Sequence, residues 1–465
     1  MNHRTVAASD VNRSITQEIL PEMGDKTPQH LAMNMTKEAT ESSSSPEDTA
    51  STPPSSGNPV VAPDSIPNQG LPAWMQVVGS FCLYFNTWGL ISSYGTFQAI
   101  YETGPLKGHS HFQISVIGSL QSFLMVFLGL VTGPIYDAGY FHYLLGIGSV
   151  FIVVGTVIQS FCTQLWHYML AQGVLIGLGA GCLILLSVAT TSMWFTTKLP
   201  LANGIAASGS GLGGVLLPIM VRQLHAQVGL AWAIRSVALV CLVLLAVANA
   251  CLRPRGPGVV RKTPRSLIDA TAFKDWPYIF FVLGCVVTFL GMYTPFVYIQ
   301  SYSLEGGVIS SHLSLYMLAI LNSSSIFGRI LPIFLAQKLG PMNMIVLTGA
   351  ALGITSLCLV TASTMARVLA AIVVYGFFTG TFFALQPTIV VRLTSDAGKI
   401  GTRFGMAFSV FAIALLFGPP IAGALRDKFS YNIAWIWAGA ALLVGAVTIA
   451  SGRVAKVGWQ LQQRC

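Results

Sequence analysis

The sequence predicts an all-α polytopic membrane protein with twelve transmembrane helices in two six-helix bundles. Three observations predict this fold. Apolar residues make up 53% of the 465-residue chain and charged residues only 9%, whereas a soluble domain carries about 25% charged residues. About twelve apolar segments lie between residues 73 and 455, and each is long enough to cross a bilayer, which takes about 20 residues. One basic loop divides these segments into two stretches of equal length.

Each apolar segment is predicted to be a helix, because backbone groups in lipid must find their hydrogen bonds within their own segment. The first six spans form the first half, residues 73–252, and the last six form the second half, residues 276–455. The predicted spans cover residues 74–98, 113–135, 142–162, 167–194, 203–224, 231–251, 277–300, 313–335, 342–362, 367–390, 404–425 and 432–453.

The charge of the chain is concentrated in short loops beside the spans. The loop 253–275 holds six Lys and Arg against only Asp269 and Asp275. A net charge of +9 could indicate a nucleic-acid partner, but bases in short loops fit the positive-inside rule better. With both termini on one side, that side carries fifteen Lys and Arg and the other carries six. We therefore expect a plasma-membrane protein with both termini in the cytosol, a lipid bilayer around it and no nucleic-acid partner.

The two ends of the chain are predicted to be cytosolic tails. Residues 1–72 are rich in Ser, Thr, Pro and acidic residues, so they lack the apolar content for a core and are expected to be disordered. Residues 456–465 form the short C-terminal tail. The eight cysteines show neither a CxxC pair nor a Cys/His metal spacing. A Ser/His/Asp set and a phosphate-binding loop are also missing, so we expect no enzyme, no catalytic residue, no cofactor and no metal site.

Several motifs carry a resemblance to a known family. They are Phe85-Asn-Thr-Trp-Gly89, Leu201-Ala-Asn-Gly204, Gly328-Arg-Ile-Leu-Pro332 and Gly418-Pro-Pro-Ile-Ala-Gly423. Together they resemble the major facilitator superfamily, and within it the fungal monocarboxylate porter-like transporters, over residues 70–458. The resemblance implies a transporter that works by alternating access, with its solute site near the midplane between the halves. It also implies that a single chain is functional.

The same resemblance marks two hinge loops, one after the second span of each half. In the first half Gly133, Asp137 and Gly139 match the family's loop motif, although the basic residues that usually follow are missing. In the second half Gly328 and Gly340 match. These five residues are predicted to take part in gating.

Arg329 is the charged residue that lies deepest in a predicted span. Charged groups in lipid are costly and usually functional, although a long side chain near a helix end can instead reach the interface. In the transporters that this chain resembles, an arginine at this position pairs with the carboxylate of the solute. That family usually has an Asp one helical turn earlier, whose protonation couples transport to H⁺. Here the position holds Ser325, which argues against a lactate-type proton symporter.

Further polar residues within the spans could line a solute cavity together with Arg329. An interhelical hydrogen bond is the alternative role for each of them. The candidates are Asn86, Tyr94, Gln172, Tyr293, Tyr298, Asn322, Ser325, Tyr375 and Gln386.

These observations predict a secondary active or facilitative transporter of a small organic solute. The missing acid favours export of a weakly acidic natural product, that is, a fungal secondary metabolite. Uptake of a monocarboxylate or a similar nutrient is the alternative. A more remote alternative is a nutrient sensor that transports nothing. A sensor would favour a long, structured cytosolic domain, and residues 1–72 predict none.

Overall fold

The computed structural model describes residues 70–196, 198–254, 267–306, 309–396 and 399–458. These residues form twelve helical stretches and no strand. In chain order the helices are α1 (71–103), α2 (His111–Asp137), α3 (Phe141–Gln159), α4 (Leu165–Trp194), α5 (Leu199–Val228), α6 (Leu230–Cys251), α7 (Trp276–Glu305), α8 (311–339), α9 (Pro341–Thr361), α10 (Met365–Leu393), α11 (Ile400–Lys428) and α12 (Tyr431–Val457).

Ten of the twelve helices, all except α1 and α8, are by themselves long and apolar enough to cross a membrane, at 19 to 30 residues each. Helix α1 is interrupted at Ser93, and α8 is interrupted at residues 315–316. Both also carry polar side chains in the middle, such as Asn86 in α1 and Asn322 in α8, and these are buried in the protein. Most helices extend a few residues beyond the predicted spans, because a helix can continue past the hydrocarbon core into the interface.

Local signals in the sequence account for where α2 begins and where it ends. Ser110 and Gln113 form a capping box, in which the Ser110 hydroxyl accepts from the backbone of Gln113 and the Gln113 carboxamide accepts from the backbone of Ser110. Gly139 follows the end of α2 with a φ of 92°, and Gly340 follows the end of α8 with a φ of 88°. Only glycine adopts such angles readily. The two predicted hinge glycines therefore form equivalent sharp turns in the two halves.

Helices α1 to α6 make the first half, and α7 to α12 make the second. Gln76, near the start of α1, donates to the carbonyl oxygen of Cys251 at the end of α6, at 2.9 Å. Helices of even and odd number therefore run in opposite directions. We call the end of the molecule with Leu71 and Val457 the termini face. The opposite face is the end at which α1 reaches Thr103 and α2 begins.

The most extensive contacts between the two halves are made by three helix pairs, α1 with α7, α2 with α11 and α5 with α8. Glycines make close approach possible at these contacts. Gly95 of α1 lies directly against the carbonyl oxygen of Phe296 in α7, and Gly214 of α5 lies against the side chain of Asn322 in α8. The Gly95 contact is near the opposite face, so the halves are in backbone contact there.

Two helices of the first half contain stretches with the wider turns of a π-helix. One covers Phe85–Gly89 in α1, and the other covers Met169–Ile176 in α4. Such stretches are rare and occur frequently at functional sites. The α1 stretch carries Asn86 and Trp88 towards the interior, so the irregular backbone coincides with the region where a solute site is predicted.

The structure corrects the predicted boundaries in three places. Helix α1 begins at Leu71, inside the predicted N-terminal tail, because Pro72 fits the first turn of a helix. Helix α12 continues to Val457 and ends before Gly458, which has a φ of 74°. The predicted basic loop contains a short 3₁₀ helix, Ala270–Lys274. Residues 1–69, 255–266 and 459–465 lie outside the described residues, and the predicted disorder of the N-terminal tail falls there.

Candidate functional site

Arg329 lies at the contact between the two halves. It belongs to α8, and its guanidinium reaches α5 in the first half. Its Nη1 donates to the backbone oxygen of Ala207, at 2.8 Å, and to the hydroxyl of Ser210. A side chain that only extended towards the membrane interface would not make these bonds. The residue before Arg329, Gly328, lets α8 pack closely against the backbone of Phe377 in α10. This packing places Arg329 beside α10.

Aromatic rings surround the guanidinium on the side of α10. The Cζ of Arg329 lies 5.9 Å from the centroid of the Phe383 ring, within the range of a cation–π contact. The Phe383 ring in turn lies 5.3 Å from Trp88 of α1 and 6.3 Å from Tyr293 of α7. Phe383 therefore joins rings from both halves into one group beside the positive charge.

Within the described residues, the charge of Arg329 has no acidic partner. None of the acidic side chains in the described part of the chain forms a salt bridge with Arg329. Its Nε is buried and makes no hydrogen bond to the protein. A cation in such surroundings is costly unless an anion pairs with it. An anionic group of a ligand beside Arg329 would supply that pairing, with a bond to Nε as well.

Two predicted site residues lie on the same helix as Arg329 and have different surroundings. Asn322 donates to the backbone oxygen of Ser92 in α1, at 3.3 Å, so it joins the halves, and its Oδ1 is buried without a partner. Ser325 donates to the backbone of Asn322 in its own helix, at 2.7 Å. The position of the family's usual acid thus holds a hydroxyl that is satisfied within α8.

Four other candidates make hydrogen bonds between helices of a single half, which is the alternative role considered for them. Tyr94 donates to Ile114 in the first half. Gln172 accepts from Tyr101, at 2.8 Å, and from Gln159, at 3.1 Å. In the second half, Tyr298 donates to the backbone of Pro419 at 3.0 Å and Tyr375 to that of Met292 at 2.8 Å.

Asn86 and Gln386 each keep one buried polar atom without a protein partner. The amide nitrogen of Asn86 donates to the backbone of Cys82, but its Oδ1 is unpaired. The Nε2 of Gln386 is also unpaired. Buried polar groups are usually paired, so these two residues are better candidates for solute contact than the four tyrosine and glutamine side chains above.

The predicted gating residues fall into two kinds of position. Gly133, Asp137 and Gly139 lie at the end of α2 and in the turn after it, and Gly340 lies in the equivalent turn of the second half. Gly133 has open space where a side chain would be. Gly328 is different, because it is in the middle of α8 and in close contact with α10.

Sequence inspection missed a polar network at the opposite face. His111 at the start of α2 lies 2.5 Å from Asp427 at the end of α11, and Glu102 of α1 accepts from Ser301 of α7, at 2.6 Å. Arg426 completes the network. These residues lie at the ends of predicted spans and are 199 to 316 positions apart in the chain, so sequence spacing does not reveal them. They tie the halves together at this face.

A second cluster lies at the termini face. Arg403 at the start of α11 contacts Asp269, at 3.0 Å, and Asp275, at 2.7 Å. The Thr271 hydroxyl and the Arg403 guanidinium both donate to the Asp269 carboxylate and hold its pKa well below the usual range. The cluster anchors the end of the central loop against α11.

This architecture defines a multi-pass membrane protein of the transporter class, built from two helical halves with a charged, aromatic site between them. The sequence model of the Major Facilitator Superfamily matches residues 77–400. The chain therefore belongs to the Major Facilitator Superfamily, as its motifs suggested.

Named relatives are similar over most of their length. The chain is 37% identical to the MFS-type transporter dbaD of Emericella nidulans, over 82% of this chain and 86% of the relative. It is 33% identical to the aspyridones efflux protein apdF of the same fungus, over 84% and 80%. It is 32% identical to the fujikurins efflux protein of Gibberella fujikuroi, over 83% and 84%.

Solved structures share the fold at low identity. The nucleoside transporter NupG superimposes with a TM-score of 0.64 at 13% identity, covering 83% of this chain and 99% of NupG. A peptide transporter POT superimposes with a TM-score of 0.67 at 12% identity, covering 86% and 98%. These likenesses confirm the predicted twelve-helix fold, and they carry no information on the solute.

Proposed function

We propose that this transporter exports a weakly acidic, aromatic secondary metabolite from the cell by alternating access. The observation that carries the proposal is Arg329, a cation at the contact between the halves that has no acidic partner among the residues the structure describes. The names of two relatives, the aspyridones and fujikurins efflux proteins, support export of a secondary metabolite.

The surroundings of Arg329 indicate the chemical class of the solute. An acidic group of the solute pairs with the guanidinium, and its apolar rings pack against Phe383, Trp88 and Tyr293. The unpaired Oδ1 of Asn86 accepts, and the unpaired Nε2 of Gln386 donates, hydrogen bonds to polar substituents of the solute. The solute is thus large and amphipathic, whereas a lactate-sized acid would leave the aromatic surface unused.

The termini face is the cytosolic side in this proposal, and the membrane is the plasma membrane. The support is the charge count of the sequence, with fifteen Lys and Arg on the side of the termini and six on the other. Lipid surrounds the helices, and one chain is sufficient because both halves of the site are present in it. The absence of an acid at Ser325 removes the family's proton-coupling group, so the solute site itself supplies no coupling.

The test compares metabolites in cells and in the medium. The organism that encodes the chain is grown with the gene intact, deleted or replaced by variants, and untargeted mass spectrometry quantifies both fractions. Deletion is expected to raise at least one acidic aromatic metabolite in the cells and lower it in the medium. Accumulation in the opposite direction would indicate uptake, and no change across conditions in which the gene is expressed would contradict transport of a metabolite.

The variant R329A is expected to behave like the deletion, lowering the exported amount about tenfold or more, because the pairing of two charges is lost. R329K keeps the charge but loses the planar, two-pronged geometry, so it restores export only in part. The matched control is R367A. Arg367 is an exposed arginine at the start of α10 whose guanidinium bonds only Ser363 among the bonds described, and its removal leaves export unchanged. Export by R329A at the wild-type level would contradict the proposed site.

A further inference from the structure

We propose that Glu102, His111 and Glu305 form a binding site for a divalent metal ion of the zinc type at the opposite face. Glu102 is at the end of α1, His111 at the start of α2 and Glu305 at the end of α7. One donor atom from each side chain lies within 4.8 Å of the other two. All three side chains line a cavity of about 230 Å³, which also receives His109.

The orientation of the His111 ring favours a metal ion. Its Nδ1 lies 2.5 Å from a carboxylate oxygen of Asp427 and 2.8 Å from Nη1 of Arg426. In the tautomer with the proton on Nδ1, the ring donates to Asp427. The other ring nitrogen, Nε2, then has a free electron pair and faces the carboxylate of Glu102, at 3.6 Å. Either a proton or a metal ion between Nε2 and the Glu102 carboxylate makes this contact favourable. A histidine whose other nitrogen donates to a carboxylate is the usual arrangement behind a metal ligand.

Hydrogen bonds from two neighbouring side chains hold the Glu102 carboxylate in place. The Glu102 carboxylate accepts from Gln98, at 2.5 Å, and from Ser301, at 2.6 Å. Both partners are buried, and the Oε1 of Gln98 has no hydrogen-bond partner of its own. Glu305 is the adjustable ligand, because its side chain is 47% exposed, and metal binding exchanges one of its contacts to Arg426 and Tyr431 for the ion. It can rotate to bring its oxygen to the distance of about 2.0–2.2 Å that zinc requires.

The charges around the cavity also suit a dication. Three carboxylates, Glu102, Glu305 and Asp427, meet one guanidinium, Arg426, so the group has a net charge of −2 when His111 is neutral. Arg426 contacts Glu305, at 2.6 Å, and lies 2.8 Å from Nδ1 of His111. When Nδ1 donates to Asp427, the Arg426 guanidinium has to turn away from the ring and keep its contacts to Glu305 and Asp427. An imidazole nitrogen with carboxylate oxygens selects zinc-type ions over Mg²⁺ and Ca²⁺, which prefer oxygen ligands alone.

The ligands come from both halves of the molecule. Glu102 and His111 belong to the first half and Glu305 to the second. An ion bound by all three therefore holds the halves together at the opposite face, and it stabilises this state over any state in which that face opens. On the proposed function, such an ion inhibits transport from that side of the membrane.

Binding is tested on the purified full-length protein in detergent, by titration with Zn²⁺ in a calorimeter. One ion per chain is expected, with no competition from a large excess of Mg²⁺. H111Q and E305Q are each expected to weaken binding by at least about tenfold. E305Q is the safer variant, because Glu305 is exposed and its replacement keeps the side-chain shape. The control is H312Q, which removes an exposed histidine at the same face outside the cluster. No saturable binding, or equal binding by wild type, H111Q and E305Q, would overturn the proposal.

Inhibition is measured separately, so that the two proposals can fail independently. Zn²⁺ added to the medium is expected to lower export by the wild type and to have little effect on export by E305Q. The calorimetric result does not depend on transport at all. Zn²⁺ binding without inhibition would contradict the proposal that the ion holds the two halves together. A failure to find any exported metabolite would contradict the proposed function, and the binding result would still stand.

Discussion

Two arginines of this chain, Arg403 and Arg329, are both held by residues outside their own helix, but only one of them has acidic partners. Arg403 is paired with Asp269 and Asp275 at the termini face. Arg329 contacts a backbone oxygen, a hydroxyl and an aromatic ring. The first arrangement is complete without a ligand, whereas the second leaves a positive charge that an anion can neutralise. This difference separates a structural arginine from a candidate solute ligand.

The lowered pKa of Asp269 predicts how stability depends on pH. Because its pKa is lower in the folded protein than in the unfolded chain, its contribution is fully present above the unfolded value of about 3.9 and is lost as the pH falls towards the folded value. D269N is therefore expected to lower the melting temperature by a few degrees at pH 7 and equally at pH 5, measured by thermal unfolding in detergent. The difference in melting temperature between D269N and the wild type is expected to narrow below about pH 4.

The control for this experiment is K107Q, which removes an exposed charge from the loop between α1 and α2. Its melting temperature is expected to match the wild type within about one degree at each pH. A gap between D269N and the wild type that widens on acidification would have the wrong sign and would contradict the role assigned to the carboxylate.

At the scale of helices, the packing of α8 on α10 depends on glycines on both sides of the contact. Gly328 lies against the backbone of Phe377, and Gly376 and Gly380 of α10 lie against the backbones of Leu321 and Ser325. Such contacts let two helices approach until their backbones touch. They also fix the position of Arg329 relative to Phe383 along the helix axes, because the two residues lie on these two helices.

G328A is expected to destabilise the protein, because the added methyl group would overlap the carbonyl oxygen of Phe377. The cost of such overpacking is about 1–3 kcal/mol, seen as a lower melting temperature. The control is G146A. Gly146 is in α3, where no atom of another residue lies near the position of a new side chain, so the substitution leaves stability unchanged or raises it slightly. Equal melting temperatures for G328A and G146A would contradict the close packing of α8 and α10.

Much of the fold could be predicted from the sequence, but only part of the candidate site could, for physical reasons. Long apolar segments in lipid can only be helices, so their number and approximate positions followed from hydropathy. Arg329 stood out because charge in an apolar span is rare. The roles of Tyr94 and Tyr298 did not follow, since a tyrosine that bonds a neighbouring helix and one that faces a cavity look the same in sequence. Trp88 and Phe383 were missed for the related reason that aromatic residues are common throughout the spans.

For the whole molecule, the described state has its opposite face closed by contacts of several kinds. Thr96 of the first half donates to Gln300 of the second, at 2.7 Å, near the backbone contact of Gly95 with Phe296. The charged network of His111 and Asp427 lies further out. Alternating access requires that these contacts break together, so any change that weakens them shifts the population towards the other state.

G95A is expected to shift this population, because a methyl group at Gly95 would collide with the carbonyl oxygen of Phe296. Opening is read out with a single cysteine, S301C, in a background in which all eight native cysteines are replaced by serine. Labelling of S301C by a membrane-impermeant maleimide is expected to rise several-fold with G95A. The companion variant G204A, at a glycine with open space beside it, is expected to label at the background rate. Unchanged labelling with G95A would show that this contact does not control the closed face.

The wide turn at Phe85–Gly89 has a mechanical consequence for α1. Rewinding this stretch as an ordinary α-helix would shift the following residues by one helical position, which amounts to a rotation of about 100° about the helix axis. The segment Tyr94–Thr103 would turn while Leu71–Tyr84 stayed packed. Rotation of this one segment would break the contacts of Glu102 with the second half at the opposite face, while the N-terminal part of α1 stayed in place.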